Sequence, residues 1–430
     1  MKKRLLSALC AVMLLICAVP MASAQTGDAA RRADALTVLH LLSEDPGRDL
    51  TAPATRAQAA VLLVRLAGGE KKPDTDGWFA GFRDVPDWAR TAANYANRRG
   101  WISGVSNVQF DPNGHLNADA WCAMLLRMLG YSDKTGDFEI SDAAAFAWRI
   151  GLTGRQLIGI LSMGDLAESI YDALDFCYKG TEATVLSRLM DLGVCTASAA
   201  NALGLLNKDY TARQLADRYL SAAFQLSLYE TEEQVHDEVS SADASGFFIS
   251  ADGLAVTNYH SIEDSIKATA TLLNGETYEV ERVLYYDTGI DIAVIKVSQT
   301  NQSRRTTSAF NHLDLVGTAD IRPGDPVYAI GNPLGLGLAI SSGIIGSTAH
   351  ELDRYALPCI VNSADISRGS SGGALMNAHG QVIGVTSGAY TYGNNMYLAV
   401  PVDPVMAADL TVSGWTLKEV KAIEAAKDKD

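Results

Sequence analysis

The chain has 430 residues, of which 48% are hydrophobic, and its formal net charge is -15. This length is sufficient for two or three domains of ordinary size. An acidic chain repels phosphate backbones, so we exclude nucleic acid from the expected partners.

The N-terminus has the composition of a secretory signal peptide. Residues 2–4 are basic, residues 5–19 form an apolar run, and Ala22-Ser23-Ala24 supplies small residues at the expected cleavage positions. We therefore predict a signal peptide over residues 1–24 and a mature protein that is secreted or associated with the cell wall. The apolar run is too short for a membrane span, so no transmembrane helix is expected after signal cleavage.

Four cysteines remain after the signal peptide: Cys122, Cys177, Cys195 and Cys359. None belongs to a Cys-x-x-Cys pair, so no metal site is predicted. Because export permits disulfide bonds, Cys177 and Cys195 are candidates for pairing. Four buried free thiols are an equal alternative.

Residues 26–205 show three pairs of helices at a spacing of several tens of residues. A repeat of this length predicts units whose apolar faces need neighbours. The first pair covers Ala35–Leu42 and Thr55–Leu66, the second lies around residues 82–131, and the third covers Ala143–Ile150 and Gly164–Leu174.

The middle pair resembles an S-layer homology repeat. The matching motifs are Phe82-Arg83-Asp84-Val85-Pro86, Trp88-Ala89 and the run from Gly104 to Phe110-Asp111-Pro112. The resemblance implies a domain of three such repeats. Many members of that family anchor exported proteins to an anionic secondary cell-wall polymer.

An arginine within a Thr-Arg-Ala-Glu motif is central to polymer binding in that family. Only the first repeat keeps it, as Thr55-Arg56-Ala57-Gln58; the others have Asn117-Ala118-Asp119-Ala120 and Met163-Gly164-Asp165-Leu166. The resemblance therefore implies Arg56 as the cell-wall-binding residue. With two of three cations missing, we expect weak binding at most. A purely structural or partner-docking role is the alternative.

From about Ala222, short β-rich runs alternate with Gly, Asn and Asp turns. This pattern of short strands and turns predicts an all-β barrel or sandwich. The clearest runs are Gly246–Ile249, Ala268–Leu273, Ala293–Val297, Val327–Ile330 and Val382–Val385.

The predicted fold is therefore multidomain, with all-α repeats followed by an all-β domain. We place a linker at 206–217, the β domain at 218–412 and a tail at 413–430. The acidic stretch Glu230–Glu238 is predicted as a solvated loop. The tail is predicted as a short helix with a frayed, charged end.

Three local motifs in the β domain carry a histidine, an aspartate and a serine. His260 ends a pair of strands joined by an Asp-Gly turn, and Asp291 directly precedes the apolar run Ile292-Ala293-Val294. Ser371 lies among glycines in Gly369-Ser370-Ser371-Gly372-Gly373. Each motif alone is weak, but the order His, Asp, Ser is that of the trypsin-like triad.

These residue types supply the parts of nucleophilic catalysis. Serine becomes a nucleophile when a neighbouring base removes its proton, and histidine acts as a base near neutral pH. A buried aspartate fixes the imidazole tautomer, and glycines let backbone amides face a developing oxyanion. We predict His260, Asp291 and Ser371 as the triad, with the amides of Gly369 and Ser371 as oxyanion donors.

The β domain resembles the HtrA (Deg) branch of trypsin-like proteases from about Leu220 to Leu410. The resemblance rests on Gly289–Val294, Gly324–Pro333, Ser342–Ile345 and Gly380–Val385. It implies two six-stranded β-barrels with the triad between them. It also implies endoproteolysis of protein or peptide substrates, such as unfolded exported proteins, without a metal or cofactor.

The HtrA family normally carries a C-terminal PDZ domain. About twenty residues follow Leu410, which is too few for one, so we expect no PDZ domain here. The main hypothesis is an exported serine endopeptidase. The alternative is a non-enzymatic, wall-associated scaffold or adhesin that uses a protease fold, and an intact triad favours the enzyme.

The resemblance implies that Asp365 and Ser387 are the residues that bind the substrate side chain. In trypsin-like folds, the residue six before the nucleophile lies at the base of the pocket for the side chain that precedes the cleaved bond. By resemblance, Asp365 occupies that base and Ser387 the pocket wall. A carboxylate there favours lysine or arginine. If Asp365 instead pairs with Arg368 or faces solvent, the aliphatic preference of HtrA-like enzymes is expected; both alternatives stay open.

Overall fold

A computed structural model describes residues 28–43, 48–69, 80–181, 183–206, 208–389 and 395–427. The predicted signal peptide lies outside these residues. The chain divides into two compact units. The first comprises Met1–Ala147 and Arg155–Leu206, and the second comprises Trp148–Gly154 and Asn207–Asp430.

Helices α1 to α8 belong to the N-terminal part of the chain, as the repeat pattern predicts. They are α1 (28–38), α2 (Arg56–Leu66), α3 (Asp87–Arg98), α4 (Ala118–Met128), α5 (Ala143–Arg149), α6 (Met163–Ala173), α7 (Val185–Asp191) and α8 (Ala197–Ala202). A polar side chain caps α2, α4 and α6 at the N-terminus: Thr55, Asn117 and Ser162 each accept a hydrogen bond from the amide three residues on. Such caps satisfy amides that have no partner within the helix.

Three short segments, one before each of α2, α4 and α6, form a closed ring of backbone hydrogen bonds. The amide of Ala54 donates to the carbonyl of Leu161 at 2.8 Å, Leu161 donates to Leu116 at 2.9 Å, and Leu116 donates to Ala54 at 3.0 Å. All three residues are buried. The ring connects the segments that precede the second helix of each predicted pair.

The caps correct the alignment of the third repeat. Ser162 occupies the position of Thr55 and Asn117, so the equivalent third motif is Ser162-Met163-Gly164-Asp165. The prediction that began this motif at Met163 is displaced by one residue. Asp165 completes a reciprocal capping box with Ser162, as Gln58 does with Thr55 in the first repeat.

The second unit contains two closed, antiparallel, six-stranded β-barrels. The first has the strand order β1-β2-β3-β6-β5-β4 and the second β10-β11-β12-β9-β8-β7. The strands of the first barrel are β1 (Ala223–Tyr229), β2 (Ala242–Phe248), β3 (Leu254–Thr257), β4 (Lys267–Leu272), β5 (Thr277–Asp287) and β6 (Ile292–Asn301). Those of the second are β7 (Pro326–Gly331), β8 (Ala339–His350), β9 (Cys359–Asn362), β10 (Ala374–Met376), β11 (Val382–Ala389) and β12 (Tyr397–Pro401).

Alternation along the strands directs side chains to two different cores. Phe224 and Phe248 are buried inside the first barrel. Phe247, whose side chain points to the other face, joins a second cluster with Val361 and Leu398 of the opposite barrel. This shared cluster lies between the two barrels, which therefore pack on each other through apolar side chains.

Five helices accompany the barrels: α9 (Ala212–Tyr219), α10 (Glu232–Asp237), α11 (Tyr259–Ile262), α12 (Asp403–Ala407) and α13 (Leu417–Lys427). The prediction of a loop at Glu230–Glu238 is wrong, because Thr231 caps a helix there. Glu232 and Glu233 lie in its first turn, where acidic residues complement the helix dipole. The loop prediction counted these charges only as a sign of solvent exposure. Helix α9 begins inside the predicted linker, and its Leu215 is fully buried in the cluster between the barrels.

None of the cysteines in the described part of the chain forms a disulfide bond; Cys122, Cys195 and Cys359 are buried and Cys177 is exposed. The predicted pairing of Cys177 with Cys195 is therefore wrong, and the alternative of four buried thiols fails at Cys177, which is exposed. Within the described ranges, no helix has both the length and the apolar character needed to cross a membrane.

Candidate active site

His260 and Asp291 form a direct pair. Helix α11 follows β3 and carries His260, whose Nδ1 lies 2.8 Å from Oδ2 and 3.0 Å from Oδ1 of Asp291. The backbone amide of His260 also donates to Oδ1 of Asp291 at 2.9 Å. The His260 side chain is 43% exposed and that of Asp291 10% exposed. The carboxylate thus holds the imidazole by its inner nitrogen and leaves Nε2 for the cleft.

Asp287 and Asp291 lie four residues apart at the turn between β5 and β6, and their carboxylates have different partners. The Asp287 carboxylate accepts hydrogen bonds from the amides of Gly289 and Ile290 at 2.9 Å, which closes the turn. Asp291 has a φ of 66°, a conformation uncommon outside glycine. Its carbonyl accepts from Nδ2 of Asn258 at 2.8 Å, so the turn and a neighbouring side chain together aim Asp291 at His260.

The side chain of Ser387 faces the catalytic acid. Its hydroxyl donates to Oδ2 of Asp291 at 2.7 Å, and the Tyr355 hydroxyl lies 2.7 Å from the Ser387 hydroxyl. Because the single Ser387 proton goes to Asp291, Tyr355 donates to Ser387. Burial raises the pKa of Tyr355, so this phenol keeps its proton. Tyr355 was not identified from the sequence, since it comes from the loop between β8 and β9.

Ser371 lies opposite His260. Both residues line one cavity of about 210 Å³, together with Asp243, Asp264 and Arg368. The Ser371 hydroxyl donates to the carbonyl of Ser387 at 3.3 Å. The main chain of Ser387 therefore borders the nucleophile, while its side chain supports the acid.

The loop around Gly369 presents amide donors. Among the described residues, neither the Gly369 amide nor the Ser371 amide has a hydrogen-bond acceptor. Gly369 has a φ of 93°, and a Cβ at this position would lie 2.5 Å from the carbonyl oxygen of Asn332. Only glycine fits this conformation and this close approach. The arrangement offers two N–H groups to an oxyanion at the nucleophile.

Asp365 occupies an exposed position in the loop after β9. Its carboxylate accepts a hydrogen bond from the Tyr397 hydroxyl, and this bond raises the pKa of Tyr397. Asp365 is not among the residues that line the cavity of His260 and Ser371. The neighbouring Ile366 is partly buried against an apolar cluster of the second barrel.

Arg56 belongs to the first unit, at the start of α2. Its Nε donates to the carbonyl of Phe110 at 2.9 Å, and its Nη2 donates to the carbonyl of Ser103 at 2.8 Å. The guanidinium also lies 4.8 Å from the centre of the Phe110 ring. These contacts hold the loop between α3 and α4.

The structure thus brings together His260, Asp291, Ser371, Gly369 and Ser387 of the residues predicted from sequence. In the described part of the chain, no group of three or more His, Cys, Asp or Glu side chains is arranged to hold a metal ion. The site therefore consists of a nucleophile, a base, an acid and amide donors. This set is suited to acyl transfer.

Comparison with known proteins agrees with this chemistry. A family model described as "Trypsin-like peptidase domain" matches residues 244–385. The chain is 37% identical over 171 residues to the mitochondrial serine protease HTRA2 of Bos taurus, covering 39% of this chain and 35% of that protein. It is 35% identical over 177 residues to a probable periplasmic serine endoprotease, DegP-like, of Halomonas elongata, covering 40% of this chain and 35% of that protein.

A third relative, serine protease HTRA1A of Danio rerio, is 32% identical over 196 residues, which is 44% of this chain and 39% of the relative. The chain therefore spans well under half the length of these three relatives. The family model, over residues 244–385, includes strands of both barrels.

Proposed function

We propose that this trypsin-like, HtrA-type serine endopeptidase domain enables the protein to hydrolyse peptide bonds in exposed segments of other proteins through an acyl-enzyme. One observation carries the proposal: Asp291 holds Nδ1 of His260, and His260 shares a cavity with Ser371 beside two amides that have no acceptor in the described part of the chain. Unfolded polypeptides are the proposed substrates, because an extended backbone must enter between the barrels.

The geometry supports a two-step reaction. His260 Nε2 takes the proton of the Ser371 hydroxyl as its oxygen attacks the peptide carbonyl, and the amides of Gly369 and Ser371 stabilise the oxyanion. His260 then gives this proton to the leaving amine, which breaks the C–N bond. In the second step, His260 takes a proton from water as the water oxygen attacks the acyl carbonyl, and it returns this proton to Ser371 Oγ as the ester C–O bond breaks. Ser371 bonds to the Ser387 carbonyl in this structure, so a side-chain rotation brings its hydroxyl to His260 on substrate binding.

The assignment of Asp291 as the catalytic acid can be tested directly by substitution. We expect Asp291→Asn to lower kcat by about three to four orders of magnitude, because an amide fixes the wrong imidazole tautomer. Asp287→Asn is the matched control. Asparagine can form the same turn, so the expected loss is less than about tenfold. The measurement is hydrolysis of an unfolded protein such as casein; a large loss in Asp287→Asn with none in Asp291→Asn would refute the site.

We also propose that the protein is exported and that its N-terminal unit is an S-layer-homology-type domain that docks at the cell wall. The basic and apolar N-terminus supports export, and the ring of three backbone hydrogen bonds supports a threefold repeat. The carbonyls of Phe110 and Ser103 already take two of the five N–H donors of Arg56, so part of its hydrogen-bonding capacity is not available to a polymer. We therefore expect weak wall binding.

A pull-down of the full chain on purified cell-wall polymer tests this proposal. We expect weak retention that Arg56→Ala abolishes and Arg83→Ala, a change at an exposed arginine, leaves unchanged. Tight retention that survives Arg56→Ala would show that polymer binding does not depend on this cation. No retention of the unsubstituted chain would refute wall docking.

A further inference from the structure

Two buried hydroxyl groups, one from each barrel, are bonded to consecutive carbonyls of the loop that carries the nucleophile. Ser245 of β2 donates through Oγ to the carbonyl of Gly369 at 2.7 Å. Thr386 of β11 donates through Oγ1 to the carbonyl of Ser370 at 2.6 Å. Ser245 is 0% exposed and Thr386 is 1% exposed.

The direction of the Ser245 bond is fixed by its second partner. The amide of Asn332 donates to Ser245 Oγ at 2.8 Å, which fills an acceptor site of the hydroxyl. Its proton is then directed to the Gly369 carbonyl, which is an acceptor only. The amide of Ser245 also donates to the carbonyl of Ser371 at 2.8 Å. One residue of the first barrel therefore holds two carbonyls of the loop.

These bonds set the direction of the oxyanion donors. In a trans peptide, the C=O and the following N–H point in opposite directions. The carbonyl of Ser370, held by Thr386, therefore turns the Ser371 amide the other way. The carbonyl of Arg368 accepts from the Leu334 amide at 2.7 Å. The Gly369 amide, in the same peptide unit as this carbonyl, therefore points away from Leu334. The Ser245 bond fixes the other side of Gly369, which is otherwise the most mobile residue type.

We propose that Ser245 and Thr386 are positioning residues that keep the oxyanion hole formed before substrate binds. The inference rests on the proposed protease activity and extends it: no activating ligand is needed to order the loop. Neither side chain touches the reacting atoms. Thr386 holds the carbonyl of the peptide unit that carries the Ser371 amide. Ser245 holds the carbonyl of Gly369, whose own amide is the other donor.

A preformed hole acts mainly in the transition state, when the carbonyl oxygen becomes negative. Loss of the Ser245 hydroxyl would leave the buried Gly369 carbonyl without its donor. Loss of the Thr386 hydroxyl would leave the Ser370 carbonyl with the Gly373 amide alone, at 3.0 Å, so in both variants the loop would rearrange. Substrate contacts along the cleft would persist. The expected signature is a fall in kcat with little change in KM.

The test compares Ser245→Ala and Thr386→Val with the unsubstituted protein on a peptide amide substrate. We expect each variant to lower kcat about a hundredfold and to change KM less than about threefold. Affinity for a peptide aldehyde, which forms a hemiacetal oxygen at Ser371, should fall in parallel. Two variants in different barrels keep the test informative if one of them does not fold.

Thr307→Val is the matched control. Thr307 is 3% exposed and donates through Oγ1 to the carbonyl of Ala309 at 2.8 Å, so its replacement also removes a buried hydroxyl bond in the same unit. We expect its kcat and aldehyde affinity to stay within about threefold of the unsubstituted protein. A similar loss in Thr307→Val would overturn the proposal, because general destabilisation would explain all three variants.

Two further outcomes are decisive. If folded Ser245→Ala and Thr386→Val retain kcat, or if KM rises while kcat is unchanged, the positioning role is refuted although the protease activity stands. If the unsubstituted protein itself hydrolyses no peptide and binds no aldehyde, the proposed function fails first, and the positioning role fails with it.

Discussion

Asp365 illustrates how one contact changes the expectation for a charged residue. A buried, unpaired carboxylate would demand a cationic substrate side chain. In the structure, however, Asp365 is exposed and accepts a hydrogen bond from Tyr397. Its bond is with Tyr397 rather than with Arg368. Water and this phenol already satisfy the charge, and the partly buried Ile366 offers an apolar surface beside it.

We therefore expect cleavage after small aliphatic residues. A peptide-library profile should show Val, Ile or Ala before the cleaved bond, and Asp365→Ala should leave that profile unchanged, since the carboxylate contributes no buried charge. Asp365→Asn keeps the shape and serves as the control. Dominant cleavage after Lys or Arg that disappears in both variants would instead establish Asp365 as the base of a specificity pocket.

Ser387 shows why residue positions are easier to predict than side-chain directions. Its sequence position after the Val382–Val385 run places it, by resemblance, on the wall of the specificity pocket. In the structure its carbonyl lies 3.3 Å from the Ser371 hydroxyl. The pairing of β11 with β12 shifts register between Thr386 and Gly388. Such a bulge re-aims a side chain, and here Ser387 turns to Asp291. Local alternation in the sequence contains no signal for that shift.

Helix α13 is the element whose role differs most from the sequence interpretation. Its charged composition predicts a frayed tail, and the helix is present. Leu417 and Val420, however, are buried in the core of the first barrel. Trp415, just before the helix, packs edge-on against Tyr286, which stacks on Tyr259, the residue before His260. Two apolar residues in a short charged helix are too few to reveal this packing from periodicity alone.

Replacement of Leu417 tests this interpretation of α13. We expect Leu417→Ala to lower the free energy of unfolding of the barrel unit by about 2–4 kcal/mol, because it leaves a cavity in the core. Lys418→Ala is the control on the next residue, whose side chain is 58% exposed and pairs with Glu232; we expect less than about 0.5 kcal/mol. Hydrogen exchange of β4 and β5 amides during urea denaturation measures both. Equal, small effects would mean that the tail is dispensable.

At the scale of the whole molecule, the sequence allows prediction of a helical region followed by a β domain and of three catalytic residues. These predictions are possible because the order of His260, Asp291 and Ser371 and the short alternating runs of the strands can both be identified along the chain without knowledge of the fold. The roles of Ser245, Tyr355 and Thr386 depend on which loops meet across two barrels. That information arises only when the chain folds, because these hydroxyl residues are common in strands and turns of every kind.

The central claim is that Ser371 is the nucleophile and that His260 activates it when a substrate or probe enters the cleft. A fluorophosphonate probe, which reacts with serines activated by a neighbouring base, tests it most directly. We predict covalent labelling of the full chain at Ser371 and no labelling of Ser371→Ala. His379→Ala, a change at an exposed histidine outside the triad, should label normally. Absence of labelling in the unsubstituted protein, or equal labelling of Ser371→Ala, would contradict the account.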